Sequence, residues 1–186
     1  LSHPTQGLLD TLTIRQCKGD VGALSVAIVG DIRHSRVARS TGRALLTLGV
    51  GELRLVSPAS LMPDAEEFEG ARRHTTLAEG VRGADVVMAL RIQRERMPEA
   101  SSLDADAFNR EWGITAANLR LAKPDAIVMH PGPMNRGVEI ASDVADGPQS
   151  VIRQQVQNGV AVRMAVLATI VRNVQARNVE AGRRVG

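Results

Sequence analysis

A stretch near residue 130 has the residue types and the spacing of a ligand-binding turn. The apolar run 126–129 has the length of a buried strand, and it ends at His130. Pro131 and Pro133 lack an N–H group, so the chain cannot continue in a sheet ladder there. Gly132 between them lets another molecule approach the backbone closely, and the carbonyl groups of the turn need water or a ligand. Such a turn can grip a substrate that carries N–H groups; a strand-to-loop turn without a ligand is the alternative.

Polar side chains also follow two other predicted strands. Arg33 and Arg36 come after the first strand, and Arg91 and Gln93 come after the third. Because the ends of parallel strands lie on one edge of a sheet, these groups can meet the proline-rich turn. A guanidinium group can hold a carboxylate through two parallel hydrogen bonds, so two arginines suit a dicarboxylate. Ion pairs with neighbouring surface carboxylates are the alternative.

A third candidate group lies at the start of the chain. His3 and Gln6 are three residues apart at the beginning of a predicted helix, so they can face the same side. The positive end of a helix favours an anion. A phosphate-bearing ligand is the functional interpretation, and a solvated first turn is the alternative.

The elements that must position these residues alternate between strands and helices. We predict strands at 24–29, 53–58, 84–90 and 126–129, helices at 4–18, 34–48, 64–69, 77–81, 116–122 and 149–177, a short run at 73–75 and a loop at 97–109. This order predicts an α/β fold with a doubly wound, Rossmann-like parallel sheet flanked by helices. A dinucleotide site is not indicated, because Ile32 and Arg33 follow Gly30 where glycines would be needed.

Composition narrows the range of partners. Aromatic residues make up 2% of the chain, so stacking on nucleic-acid bases is not expected. The net charge is +3, and the arginines are spread along the chain rather than clustered, which favours small acidic substrates over nucleic acid. Cys17 is the single cysteine, so no internal disulfide can form. No apolar run is long enough to span a membrane, and we expect a cytoplasmic protein.

Four segments in the same order resemble the catalytic chain of aspartate carbamoyltransferase (aspartate transcarbamylase). They are His-Pro-Thr-Gln at 3–6, Gly-Asp-Ile-Arg-His-Ser-Arg at 30–36, Arg-Ile-Gln-Arg-Glu-Arg at 91–96 and His-Pro-Gly-Pro-Met-Asn-Arg-Gly-Val-Glu-Ile at 130–140. The resemblance covers nearly the whole chain, through residue 171. It implies that the amine of L-aspartate attacks the carbonyl carbon of carbamoyl phosphate, which gives N-carbamoyl-L-aspartate and phosphate in pyrimidine synthesis.

The resemblance also implies a role for each group around carbamoyl phosphate. His3 would donate a hydrogen bond to the carbonyl oxygen and act as the catalytic residue, because negative charge develops there. Gln6 and the carbonyl groups of Gly132 and Pro133 would hold the carbamoyl NH₂ group.

Aspartate would be held by a second set of residues. By the same resemblance, Arg36 and Arg91 would bind its carboxylates with help from Gln93, and Arg96 would brace the two domains. The resemblance implies no metal and no cofactor. It implies a homotrimer of catalytic chains, and it leaves open a larger assembly with regulatory or dihydroorotase-like chains.

The chain also departs from the pattern of this family. The N-terminal carbamoyl-phosphate domain, its Ser-Thr-Arg-Thr motif and a lysine-bearing loop from a neighbouring subunit are missing from the sequence. The first residue is Leu1, and we expect an incomplete chain. We assign 1–22 to a remnant helix and linker of the missing domain, 23–148 to an aspartate-binding domain, and 149–186 to a C-terminal helix that packs back toward the missing domain.

Two other interpretations remain. An ornithine-type carbamoyltransferase would carry a His-Cys-Leu-Pro turn, whereas this chain has His-Pro-Gly-Pro at 130–133. A non-enzymatic aspartate-binding or structural domain of an assembly is the other alternative, because half of the expected enzyme is missing.

Overall fold

A computed structural model describes residues 2–93 and 104–183, with side chains described as far as residue 177. Its helices are α1 Pro4–Lys18, α2 Arg36–Thr47, α3 Leu77–Val81, α4 Ala105–Trp112, α5 Ala116–Leu119, α6 Ser142–Ala145 and α7 Ile152–Arg183. Its strands are β1 Ser25–Gly30, β2 Glu52–Val56, β3 Arg72–His74, β4 Val86–Leu90 and β5 Ile127–Met129.

The five strands form one parallel sheet with the order β3-β2-β1-β4-β5, which confirms the predicted doubly wound α/β fold. Strand β1 lies at the centre, and the chain turns to opposite sides of it to reach β2 and β4. Ligands of such sheets bind beyond the carboxyl ends of the strands, where the direction of winding changes. The topology therefore places a crevice beside the ends of β1 and β4.

Apolar side chains pack on both faces of the sheet. Because successive residues of a strand point to opposite faces, the paired residues Ile28 and Met88 join a cluster that includes α2. Their neighbours Val29 and Ala89 join a second cluster that includes α3, α4 and α5. Every residue of β4 is buried, as expected for a central parallel strand covered on both sides.

Helix α1 lies between α2 and α7. Pro4 occupies its first turn, where a missing N–H group costs nothing. A Cβ atom at Gly7 would lie 2.8 Å from the Ser40 carbonyl oxygen, so a glycine is needed for α1 to approach α2 this closely. Ser35 caps α2, because its hydroxyl group accepts a hydrogen bond from the Ala38 N–H.

Several predicted boundaries were wrong. The loop predicted at 97–109 includes the start of α4, whose N-cap Asp104 accepts a hydrogen bond from the Asp106 N–H; its first part lies outside the described residues. The acidic helix predicted at 64–69 is a 3-10 turn, Ala65–Phe68. The short run near 73 forms strand β3, which pairs with β2 through Arg72–His74. Helix α5 ends at Leu119, three residues earlier than predicted.

Helix α7 carries large apolar side chains that the described residues do not cover. Its first residue, Ile152, is buried, but the large apolar side chains further along the helix are open to solvent. We call this surface, together with a neighbouring side chain of α1, the open apolar face: Leu8, Val156, Val160, Met164, Leu167, Ile170, Val171 and Val174. None of the described helices combines the length and the apolar character needed to cross a membrane.

Candidate functional site

A cavity of about 310 Å³ opens at the carboxyl edge of the sheet. It is lined by His3, Gln6, Ser35, Arg36, Val37, Leu90, Arg91, Gln93, His130, Pro131, Gly132, Pro133 and Arg163. These residues come from the start of α1, the N-cap and first turn of α2, the end of β4, the turn after β5 and one side of α7. The cavity thus lies where the topology of the sheet predicts a ligand site.

Seven of the sequence-predicted site residues line this cavity. They are His3, Gln6, Arg36, Arg91, Gln93, Gly132 and Pro133. Arg96 lies outside the described residues. Arg33, which we had grouped with Arg36, does not line the cavity. Its guanidinium group lies 3.4 Å from the Ser60 carbonyl oxygen and 3.5 Å from Asp64 Oδ1.

The loops that carry Arg36 and Arg91 are joined by one buried carboxylate. Asp31 Oδ2 accepts a hydrogen bond of 3.1 Å from the Gln93 N–H, and Asp31 Oδ1 accepts one of 3.1 Å from the His34 N–H. The Nδ1 atom of His34 lies 2.9 Å from the same Oδ1 atom. Asp31 is fully buried, so this link fixes the end of β4 relative to the β1–α2 loop.

The turn after β5 is held by His130 and Glu139, which are both buried. The Gly132 N–H group donates to His130 Nδ1 over 2.9 Å, so Nδ1 is an acceptor and the imidazole hydrogen is on Nε2. The Nε2 atom lies 3.2 Å from Glu139 Oε1 and can donate to it. The imidazole therefore fixes Gly132 from inside the protein.

The carbonyl groups of the turn remain available to a ligand. Gly132 has φ = +70°, which glycine adopts without strain, and the Gly132–Pro133 peptide bond is cis. Within residues 2–93 and 104–183, no hydrogen bond reaches the carbonyl oxygen of Gly132 or Pro133. This arrangement matches the N–H-binding turn predicted from the sequence.

Sequence reasoning missed a buried network behind the cavity, centred on Asp10. Asp10 Oδ1 accepts hydrogen bonds from Gln6 Nε2 at 3.0 Å and from Gln155 Nε2 at 2.7 Å, and Oδ2 accepts one from Thr41 Oγ1 at 2.6 Å. Burial raises the pKa of Asp10 to about 6, although the three hydrogen bonds oppose this shift. A local signal existed, because Asp10 lies four residues after Gln6 on a helix face that also carries Leu9, Thr13 and Ile14.

Arg163 is a second residue that sequence reasoning missed. It belongs to α7 and lines the cavity although it lies far along the chain from the other lining residues. A Cβ atom at Gly159 would lie 2.8 Å from Arg163 Nη1, so the guanidinium group folds back over this glycine. The available signal in the sequence was the spacing of four residues between Gly159 and Arg163, which places both on one face of the helix.

The charge of the lining suits an anionic ligand. Arg36, Arg91 and Arg163 contribute guanidinium groups, and no carboxylate belongs to the lining within the described parts of the chain. A small cavity lined by guanidinium groups attracts ligands that carry carboxylate or phosphate groups. In those same parts, no group of three or more His, Cys, Asp or Glu side chains is placed to hold a metal ion.

Comparisons with known proteins identify the family of this chain. The family described as "Aspartate/ornithine carbamoyltransferase, Asp/Orn binding domain" matches residues 23–170. The structure is similar to aspartate transcarbamoylase from Trypanosoma cruzi in complex with carbamoyl aspartate and phosphate, with 34% identity, a TM-score of 0.79 and coverage of 89% of this chain and 55% of that one. It is also similar to ornithine carbamoyltransferase from Pyrococcus furiosus, with 28% identity, a TM-score of 0.77 and coverage of 90% of this chain and 56% of that one. The chain therefore spans just over half the length of these relatives.

Proposed function

Because the chain belongs to the aspartate/ornithine carbamoyltransferase family, we propose that it is the amino-acid-binding part of an aspartate carbamoyltransferase. The observation that carries this proposal is the convergence of His3, Gln6, Arg36, Arg91 and the 130–133 turn on one cavity. The whole enzyme transfers the carbamoyl group of carbamoyl phosphate to L-aspartate, in pyrimidine synthesis.

The charge of the cavity favours aspartate over ornithine as the acceptor. Ornithine carries a second ammonium group, which three lining arginines repel, whereas aspartate carries a second carboxylate, which they attract. The turn His130-Pro131-Gly132-Pro133 also differs from the His-Cys-Leu-Pro turn of the ornithine type. Related aspartate transcarbamoylase structures from Trypanosoma cruzi were determined with carbamoyl phosphate and with N-(phosphonacetyl)-L-aspartic acid.

Each group has a role in the proposed reaction. The aspartate amine nitrogen forms a bond to the carbonyl carbon, and the bond from that carbon to the phosphate oxygen breaks. The departing phosphate takes the proton that the nitrogen loses. His3 donates a hydrogen bond to the carbonyl oxygen, where negative charge develops. Gln6 and the carbonyl groups of Gly132 and Pro133 accept hydrogen bonds from the carbamoyl NH₂ group. Catalysis rests on alignment of two bound substrates and on this charge stabilisation.

Binding of the acceptor falls to the arginines. Arg36 and Arg91 hold the two carboxylates of aspartate, and Gln93 assists them. In this proposal 1–22 is a helix and linker of a carbamoyl-phosphate domain, and 149–186 packs back toward that domain. Residues 23–148 bind aspartate, and Arg96 braces the two domains. The phosphate-binding groups come from that other domain and from a neighbouring chain of a trimer.

Replacing Arg91 in the whole enzyme tests the assignment. Arg91→Ala removes up to two charged hydrogen bonds, each worth roughly 1.5–3 kcal/mol, so we expect a loss of at least tenfold in kcat/KM for aspartate. The KM for carbamoyl phosphate should change little. Arg91→Lys should not restore activity fully, because an ammonium group lacks the planar fork. Steady-state kinetics with each substrate varied separately gives the answer.

Arg33→Ala is the matched control, because Arg33 also follows a strand of the sheet but contacts Ser60 and Asp64 outside the cavity. It should leave both substrates nearly unaffected, since exposed ion pairs contribute only about 0–1 kcal/mol. Equal damage to both substrates by Arg91→Ala would show that this assignment is wrong. Faster transfer to ornithine than to aspartate by the unaltered enzyme would select the ornithine type, and no transfer to either would select a non-enzymatic role.

A further inference from the structure

The network around Asp10 has a fixed direction of hydrogen bonding. A backbone N–H can only donate, and the His130 N–H donates to Gln155 Oε1 over 3.0 Å. The amide of Gln155 must then present its nitrogen at its other side, where Nε2 lies 2.7 Å from Asp10 Oδ1. The direction of donation is therefore set from the turn after β5 through Gln155 to Asp10.

The same carboxylate fixes the direction of the Gln6 amide. An ionised carboxylate only accepts, so Gln6 must present Nε2 to Asp10 Oδ1, which it does at 3.0 Å. The oxygen of this amide is then left on the other side, and Gln6 lines the cavity. No hydrogen bond within the described residues reaches Gln6 Oε1. The third donor, Thr41 Oγ1, occupies Oδ2 at 2.6 Å and keeps that oxygen from either amide.

Burial makes this arrangement costly to invert. Asp10 and Thr41 are fully buried, and Gln155 is 1% and Gln6 6% exposed. A flipped amide would place its oxygen against the carboxylate and leave a buried N–H group without a partner. The network also joins three helices, since Asp10 lies on α1, Thr41 on α2 and Gln155 on α7.

From these contacts we infer that Asp10 is a positioning residue that makes Gln6 a hydrogen-bond acceptor toward the cavity and anchors the turn on the opposite wall through Gln155. The inference rests on the proposed function for the identity of the ligand group, which is an NH₂ group such as that of carbamoyl phosphate. Asp10 itself lies behind the cavity wall and acts through Gln6 and Gln155.

A double-variant cycle in the whole enzyme tests the inference. Asp10→Leu removes the acceptor, and we expect kcat/KM for carbamoyl phosphate to fall by about 100-fold, because misplaced groups near a reacting centre have effects of this size. If Asp10 acts through Gln6, Asp10→Leu should lower activity much less in the Gln6→Leu variant than in the unaltered enzyme. A fully multiplicative loss in the double variant would overturn the inference.

Two variants separate positioning from general damage. Asp10→Asn keeps one oxygen that can accept from both amides, and its nitrogen can donate to the Thr41 hydroxyl, so it should lose about tenfold less activity than Asp10→Leu. Equal losses would overturn the inference. Thr13→Val is the structural control: Thr13 is buried between α1 and α7, where it accepts from Asn158 Nδ2 at 2.9 Å, and it should leave activity unchanged.

A measurement without activity separates this inference from the proposed function. In the 186-residue chain, the side-chain NH₂ protons of Gln6 and Gln155 should exchange with solvent at least about tenfold more slowly than those of exposed Gln175, as followed by nuclear magnetic resonance. Exchange as fast as that of Gln175 would overturn the inference, whether or not Asp10→Leu folds. The two results can differ. If the side-chain NH₂ protons exchange slowly in this chain but the whole enzyme transfers no carbamoyl group, the positioning role is supported and the proposed function is contradicted.

Discussion

Helix α7 has two surfaces that differ in how far the other described residues cover them. On one side, Gln155 and Ile152 are buried, and Gln155 is hydrogen-bonded to both the His130 N–H and Asp10. On the other side, Met164 is 65% and Leu167 63% exposed. Contiguous exposed apolar side chains mark interaction surfaces. The polar wall of the cavity is therefore positioned from within this chain, whereas the described residues leave the open apolar face uncovered.

The largest expected effect concerns activity. It tests whether the polar wall of the cavity is sufficient for carbamoyl transfer. We expect the 186-residue chain alone to show no carbamoyl transfer, because the proposed reaction needs both substrates held together and the proposed phosphate site lies outside this chain. A carbamoyl-aspartate assay on the purified chain measures this, with His3→Ala as the control. Turnover well above that control would show that the described cavity is a complete active site.

The second prediction tests whether the open apolar face drives association. The unaltered chain should self-associate at high concentration, and replacing Met164 and Leu167 together by Glu should shift it toward monomer. Covering each of these side chains contributes about 1.5–3 kcal/mol, which a charge removes. Light scattering over a concentration series is the measurement. Asn173→Glu, an exposed polar position on the same helix, is the matched control and should still self-associate.

The third prediction concerns the pH dependence that the buried network adds to stability. The pKa of Asp10 is raised from 3.8 to about 6 in the folded chain, so its protonated form is the one that folding favours. This contribution to the free energy of unfolding is fully present below pH 4 and is lost as pH rises through about 6. It amounts to about 3 kcal/mol at most.

Urea unfolding at several pH values, compared between the unaltered chain and Asp10→Asn, isolates this contribution. The difference between them should change between pH 4 and pH 7, and Gln175→Ala, an exposed control without a titratable group, should show no such change. Hydrogen bonds from Lys18 and Arg136 lower the pKa of Asp125 and Asp146, so these exposed groups act with the opposite sign and at lower pH. A parallel pair of curves for Asp10→Asn would contradict the prediction.

The smallest expected effect compares packing around two helical glycines. A Cβ atom at Gly80 would overlap the buried Val56 side chain, so Gly80→Ala should destabilise the chain by about 1–3 kcal/mol. At Gly159 the added atom would meet the movable end of Arg163 at 2.8 Å and Leu9 at 3.3 Å. Alanine favours a helix by about 1 kcal/mol over glycine, so Gly159→Ala should be neutral or stabilising. Thermal unfolding of both variants measures the two effects. Equal losses of stability would show that α7 packs around Gly159 as tightly as α3 packs on the sheet at Gly80.

The sheet was predictable from the sequence because its buried strands are continuous apolar runs. Strands β1 and β4 contain the apolar runs 26–29 and 86–90, within the predicted strands 24–29 and 84–90. Strand β3 was not recognised, since Arg72 and Arg73 are exposed and only pairing with β2 makes this segment a strand. Helix α4 was missed because two buried aromatic side chains, Phe108 and Trp112, gave too short a pattern to identify a helix.

The candidate site was predictable where it follows from topology. Residues at the carboxyl ends of parallel strands lie at the same edge of the sheet, regardless of the sequence that connects the strands. Arg91 and the turn after β5 could therefore be grouped from the sequence. The orientation of a loop side chain is not encoded in this way, and Arg33 faces away from the cavity although Arg36 lines it. The pairing of Asp10 with Gln155 follows from the packing of α1 on α7, which no local pattern specifies.

The separation of Asp10 and Gln155 by 145 residues has a consequence for synthesis on the ribosome. At about 5–20 residues per second, the ribosome needs roughly 7–30 seconds to reach Gln155 after it has added Asp10. During this interval, the sheet can begin to form from strands whose partners have already been translated. Helix α1 precedes every other element of this chain in translation, and it is among the last to obtain its full set of contacts.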